Sequence, residues 1–156
     1  MSLSEVDETL DRYDQKILDI LSKDGRLTVT ELANQVGLTK SPCQVRLRRL
    51  QNDGYILGFR AILNPIKLSR DHIAFVEVRL TDTTEHALKA FNKAVLSVRE
   101  IEQCHMIAGS FDYLLKIRTQ NIRAYRQVLG ATISNLPFVG STSTHVSMEA
   151  VKDNAF

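Results

Sequence analysis

Tryptophan is absent from this 156-residue chain, aromatic residues make up only 6% of it, and there are three prolines and two cysteines. Cys43 and Cys104 stand 61 positions apart without any C-x-x-C pair, so neither a dithiol redox motif nor a cysteine zinc site is supported. Cys104 adjoins His105, but neighbours on a strand point to opposite faces, which argues against joint metal ligation. No apolar run approaches the ~18 residues of a membrane-crossing helix. The first residues are acidic rather than signal-like, and a cytoplasmic location is expected. There is no P-loop, no G-x-G-x-x-G and no H-E-x-x-H, and His72, His86, His105 and His145 are scattered with no Ser or Asp at triad spacing. An enzyme would lack a carrier for its chemistry, and no metal or cofactor is expected.

An excess of charge of one sign is lacking as well: the net charge is +2. Its distribution is more telling. Residues 1–24 carry seven acidic and three basic side chains, whereas residues 40–60 carry Lys40, Arg46, Arg48, Arg49 and Arg60 against Asp53 alone. A local basic patch on a near-neutral chain is what a specific nucleic-acid binder needs.

What is present is organised around residues 27–60. Thr28 and Glu31 have the T-x-x-E spacing of a capping box, followed by Leu32, Ala33 and Val36 at helical spacing. Gly37 lies where a helix end needs positive φ. Ser41 reads as the next N-cap and Pro42 as the first helical position. In that second helix Cys43, Leu47 and Leu50 form an apolar seam, while Ser41, Gln44, Val45 and Arg48 follow i, i+3, i+4, i+7 on another side, flanked by Arg46 and Arg49. Two short helices joined by a glycine turn, the second with a polar cationic face, form a helix-turn-helix pattern whose second helix enters the major groove of double-stranded DNA. On this basis Gln44 pairs with adenine, Arg48 with guanine and Val45 with a thymine methyl. Lys40, Arg46, Arg49 and Arg60 mainly meet phosphates.

Before this pair, Met1–Thr9 reads as a loose acidic lead-in. Asp11 caps a first helix whose apolar pattern, Leu10, Tyr13, Ile17, Leu18 and Leu21, is interrupted only by Asp14. After the pair, Tyr55–Leu63 reads as a short hairpin or wing and a connecting strand. Asn64-Pro65 marks a boundary between a DNA-binding domain over 1–63 and a second domain over 64–156.

The second half alternates strand and helix: HIAFVEVRL, then TTEHALKAFNKAVLS, VREIEQCHMIAG, FDYLLKIRT, NIRAYRQVLGATISN and VGSTSTHVSMEAVK. The order β-α-β-β-α-β predicts a ferredoxin-like α+β domain, an antiparallel sheet with two helices on one face. The other face is then left for a partner copy, with Phe75 or Val76 filling it. In MIAGSFDYLLKI, Gly109, Ser110 and Asp112 fit an ordinary hairpin turn. On the residues alone that is the favoured reading; the alternative is a turn whose amides receive a carboxylate while Asp112 takes the ammonium of an amino acid. Because such a sheet hosts many functions, a protein-docking or sensing module remains open on fold alone.

Taken together, LDRYDQKILDIL, GRLTVTELANQVGL, SPCQVRLRRLQNDGYILGF, FVEVRL, EQCHMIAGSFDYLLKIR, AYRQVLG and HVSMEAVK resemble the Lrp/AsnC, or feast/famine, family of transcription regulators, most of all its leucine-responsive type. The resemblance spans about Leu10 to Asp153. It implies a helix-turn-helix or winged head and a C-terminal effector domain. It also implies dimers, formed through the connecting strand and the sheet face, that gather into octamers or larger assemblies. An amino-acid effector would bind between dimers, with Gly109, Asp112 and Tyr113 at its site and Thr142, Thr144 and His145 facing the same region. Regulators of proline or branched-chain amino-acid breakdown are the kind of relative this implies.

Overall fold

Asp11 starts the first helix. Its carboxylate accepts the amides of Tyr13 at 2.8 Å and Asp14 at 2.9 Å, and the Asp14 carboxylate accepts the Asp11 amide in return at 3.2 Å. This reciprocal box opens α1 (Arg12–Lys23). A second box, Thr28 with Glu31, opens α2 (Val29–Val36), which ends at Gly37 with φ +87°. That left-handed turn delivers the chain to α3 (Lys40–Asn52). Ile17, Leu32, Ala33, Val36, Cys43 and Leu50 are buried together between the three helices. The computed structural model describes residues 10–153, and the lead-in expected over Met1–Thr9 lies outside them. The chain divides into two units between Ile62 and Leu63.

Two local expectations fail here. Ser41 is not the N-cap of α3: the helix begins at Lys40, and Thr39 occupies the cap without a side-chain hydrogen bond. Pro42 still lies within the first turn, where amides have no helical partner and its missing N–H costs nothing. Nor do residues 55–63 form a hairpin; no described residue between α3 and the first strand of the second unit is in a strand. A two-stranded ribbon without a sheet to lean on is marginal in water. Phe59 instead packs against Gly25, where an added Cβ would come within 3.0 Å of its ring.

In the second unit, β1 (His72–Leu80), β2 (Ile101–Met106), β3 (Tyr113–Thr119) and β4 (Val139–Val146) form one antiparallel sheet in the order β2-β3-β1-β4. Helices α4 (Glu85–Val95) and α5 (Ile122–Ala131) cover one face. Ala74, Val76, Val78, Tyr113, Leu115 and Ile117 point into that core against Phe91, Val95 and Tyr125. Val76 therefore belongs to the core, and of the pair expected on the open face only Phe75 lies there. Around it the open face is more ionic than apolar. Lys116 bonds Asp153 at 2.7 Å, Arg118 pairs with Glu102 and Asp153, and His145 lies 3.2 Å from Glu77. Ile122, the first residue of α5, is half exposed.

The Asp11 cap has a pH signature. The Asp14 amide bond foremost, then Arg46 and the Tyr13 amide, hold its carboxyl down from 3.8 to about 2. A carboxyl depressed on folding adds stability above its unfolded value, and that contribution fades as pH falls through the folded one. An NMR titration of Asp11 is expected to show a midpoint near 2, with the start of α1 loosening between pH 3.8 and 2; a midpoint at the ordinary value would mean that the box does not form.

Candidate functional site

Helix α3 presents two chemically different sides. Cys43 and Leu50 are fully buried and Leu47 is packed beside them. On another side Ser41, Val45 and Arg48 are exposed, Val45 at 68%, and Gln44 is half-buried. An exposed valine in the middle of a polar row has no partner in the first unit's core. The start of the helix is also open. The Thr39 side chain accepts no helix amide, the first turn holds no acid, and Lys40 is exposed there. A lysine at the positive end of a helix is unfavourable unless an anion joins it, and uncapped amides in that position donate to phosphate oxygens.

Arg46 and Arg49, expected at phosphates, have another engagement. Asp14 of α1 is 1% exposed, and its two oxygens accept Arg46 at 2.9 Å and Arg49 at 2.5 Å. Arg46 also reaches Asp11 at 2.6 Å, and its guanidinium lies 5.4 Å from the Tyr13 ring centre. These bonds, the one to Asp14 first, raise the Arg46 pKa. A buried carboxylate shared by two arginines a turn apart ties α3 to α1 at a set rotation. Sequence reasoning missed this role for Asp14, although the signal was there: one acid on the apolar seam of α1, and arginines at i and i+3 on α3. Arg60, on the segment after α3, is exposed.

The six residues assigned to an effector do not form one cluster. Gly109 and Asp112 sit in the turn between β2 and β3. Asp112 braces the end of β1: its amide donates to the Val78 carbonyl at 2.9 Å and its Oδ2 accepts the Leu80 amide at 2.7 Å. Gly109 has no positive φ, and a Cβ there would meet only the Ile107 side chain at 3.5 Å, ordinary contact. Nothing among the described residues requires glycine at this turn. Tyr113 is 2% exposed in the core, its ring 4.4 Å from that of Phe91. Thr142 and Thr144 pair with Val78 and Val76 on the helix-covered side, where the Thr144 hydroxyl bonds that of Tyr125. His145 pairs with Phe75 on the opposite face. The expectation that Thr142, Thr144 and His145 face one region is thus corrected, because alternation along β4 separates His145 from the two threonines.

A three-helix head with an exposed row on its third helix, followed by a four-stranded sheet covered by two helices, is the architecture of a DNA-binding regulator with a separate ligand-binding domain. The comparisons with known proteins agree. Residues 10–56 match the model for winged helix-turn-helix DNA-binding domains and residues 73–155 that for the Lrp/AsnC ligand binding domain. The proline dehydrogenase transcriptional activator of Rhizobium radiobacter is 60% identical over 153 residues, 98% of each chain. The leucine-responsive regulatory protein of Escherichia coli K12 is 46% identical over 145 residues, 93% of this chain and 88% of that one. A transcriptional regulator from Neisseria meningitidis, solved as a complex with L-Met, superposes with a TM-score of 0.86 at 30% identity, covering 93% of this chain and 94% of that one. This chain belongs to the Lrp/AsnC family of transcription regulators, which act in amino-acid metabolism.

Asp14→Asn tests the anchoring of α3. Removing the charge while keeping the shape leaves two arginines short of a carboxylate, at an expected cost of about 1.5–3 kcal/mol to the first unit. Hydrogen exchange is expected to accelerate in α1 and α3 and to stay unchanged in β1 and β3. Unaltered exchange in α3 would show that the ion pairs do not hold it.

Proposed function

We propose that this protein is a cytoplasmic, non-enzymatic regulator of proline breakdown. It binds an operator through α3 and answers to an amino acid bound at the Gly109–Asp112 turn. The observation that carries the DNA half is the exposed row Ser41, Val45 and Arg48 beside half-buried Gln44, on a helix whose other side is committed to the core and to Asp14. Those four side chains read bases. Lys40, the open helix start and Arg60 meet the flanking phosphates. Arg46 and Arg49 act first as anchors, and their outer edges line a hollow of about 460 Å³ beside Val45 that a phosphate can approach. The choice of proline rests on the 60% identity to an activator named for proline dehydrogenase.

The effector half rests on Asp112 and Gly109. Asp112 spends one oxygen on the Leu80 amide, which leaves the other for an ammonium group, and Gly109 keeps the turn open to a carboxylate. Tyr113, Thr142 and Thr144 support this turn from the core side rather than line it.

A homodimer, assembling further to an octamer or a similar ring, is supported by the linker. Leu57 is 98% exposed and Ile62 95%, and the amides of residues 57–63 bond nothing among the described residues. An extended segment with free backbone groups and apolar side chains is a strand awaiting a neighbour. A second copy offers the same segment antiparallel, which also brings two recognition helices to successive major grooves, ~34–36 Å apart.

One titration tests the whole reading. Fluorescence anisotropy is measured on duplex upstream DNA of a proline dehydrogenase gene, over a salt series, with and without proline. Wild type is expected to bind with steep salt dependence and to change affinity with proline. Arg48→Ala is expected to lose about 1–3 kcal/mol and relax one base position. Asp112→Asn, which can still accept the Leu80 amide, is expected to bind DNA normally and ignore the amino acid. Binding insensitive to salt, or a full proline response in Asp112→Asn, would refute the corresponding half.

A further inference from the structure

Asp112 brackets a cation that has no partner. Its amide donates to the Val78 carbonyl at 2.9 Å and its Oδ2 accepts the Leu80 amide at 2.7 Å. The residue between those two is Arg79. Val78 points into the helix-covered core, so alternation sends the Arg79 side chain out of the other side of β1, where it is exposed. The register of β1 against β4 slips between Arg79 and Leu80. Gly140 lies against that slip, and a Cβ there would come within 3.1 Å of the Thr81 side chain and 3.4 Å of the Arg79 carbonyl. Such bulges re-aim a side chain and recur beside binding sites.

The acids around Arg79 are engaged elsewhere. Glu77, two residues back on the same strand, lies 3.2 Å from His145. Asp82 turns both oxygens to Thr84. Arg79 makes no ion pair among the described residues, and Asp112 Oδ1 has no partner among them either. Two opposite charges thus stand beside the same stretch of backbone, each with unspent capacity and neither spent on the other. A free amino acid carries an ammonium and a carboxylate on one carbon and has no net charge. Asp112 and Arg79 together offer the complementary pair, also with no net charge. The amides of residues 108–111 bond nothing among the described residues and add neutral donors. A guanidinium grips a carboxylate more firmly than they do, through two parallel charge-assisted hydrogen bonds.

We propose that Arg79 is the carboxylate-binding residue of the effector site, so that the site demands both charges of a zwitterionic amino acid. This rests on the reading of the Gly109–Asp112 turn as that site. An amine without a carboxylate meets Asp112 alone, and an acid without an amine meets Arg79 alone.

Calorimetric titration of the full chain with L-proline and with L-prolinamide, which keeps the ammonium and lacks the carboxylate, tests this. Wild type is expected to bind proline about tenfold more tightly than prolinamide. Arg79→Gln is expected to lose about that factor for proline and to bind prolinamide as wild type does, so that its preference disappears. Equal weakening of both ligands would make Arg79 a structural residue and overturn the proposal. Unchanged proline binding in Arg79→Gln, with binding lost in Asp112→Asn, would overturn it while leaving the turn as the effector site. Unchanged proline binding in Asp112→Asn, or none in wild type, would refute the turn and Arg79 together.

Discussion

One carboxylate sets the geometry on which recognition depends. Asp14 is buried where α1 meets α3, and it satisfies Arg46 and Arg49 with its two oxygens. Apolar packing alone, through Cys43, Leu47 and Leu50, presses α3 onto the core but resists rotation weakly, since hydrophobic contact is non-directional. Hydrogen-bonded ion pairs at two successive positions of the same helix do resist it. Asp14 is the buried member, and taking both arginines away would leave its charge uncompensated, which is why such pairs are costly to break even where they add little net stability. With α3 held in one rotation, the outward row can only be Ser41, Val45 and Arg48, with Gln44 at its edge.

The second unit solves a different problem with the same means. One side of its sheet is closed by α4 and α5 over Val76, Val78, Leu115 and Ile117. The other carries charged residues on the same strands, and Lys116 and Arg118 are buried there only because Glu102 and Asp153 come to meet them. Asp112 performs the equivalent service at the turn, where its carboxylate ends β1 through the Leu80 amide. The residues nearest the candidate effector position are thus structural and available at once.

Much of this was legible in the sequence. The Thr28–Glu31 capping box, the Asp11 cap, the Gly37 turn, the seam of α3 and the β-α-β-β-α-β order follow from local rules that act within a few residues. What was not legible lies at long range. Nothing local says that Asp14 will meet arginines 32 and 35 positions later. Residues 55–63 have strand-forming composition but form no hairpin, because composition does not supply a strand to pair with. His145 cannot share a face with Thr142 and Thr144, since the two-residue period of a strand parts them, and this local rule outranks the family resemblance. By the same alternation Tyr113 falls in the core with Leu115 and Ile117.

The central claim is that α3 meets DNA by the face turned away from Asp14. Disulfide cross-linking to an operator carrying a thiol tethered to a major-groove base tests it directly, in a chain with its two native cysteines replaced by alanine. Val45→Cys is expected to cross-link efficiently and Gln35→Cys, exposed on α2, to remain free. Cross-linking of the α2 position in preference to Val45 would contradict the account.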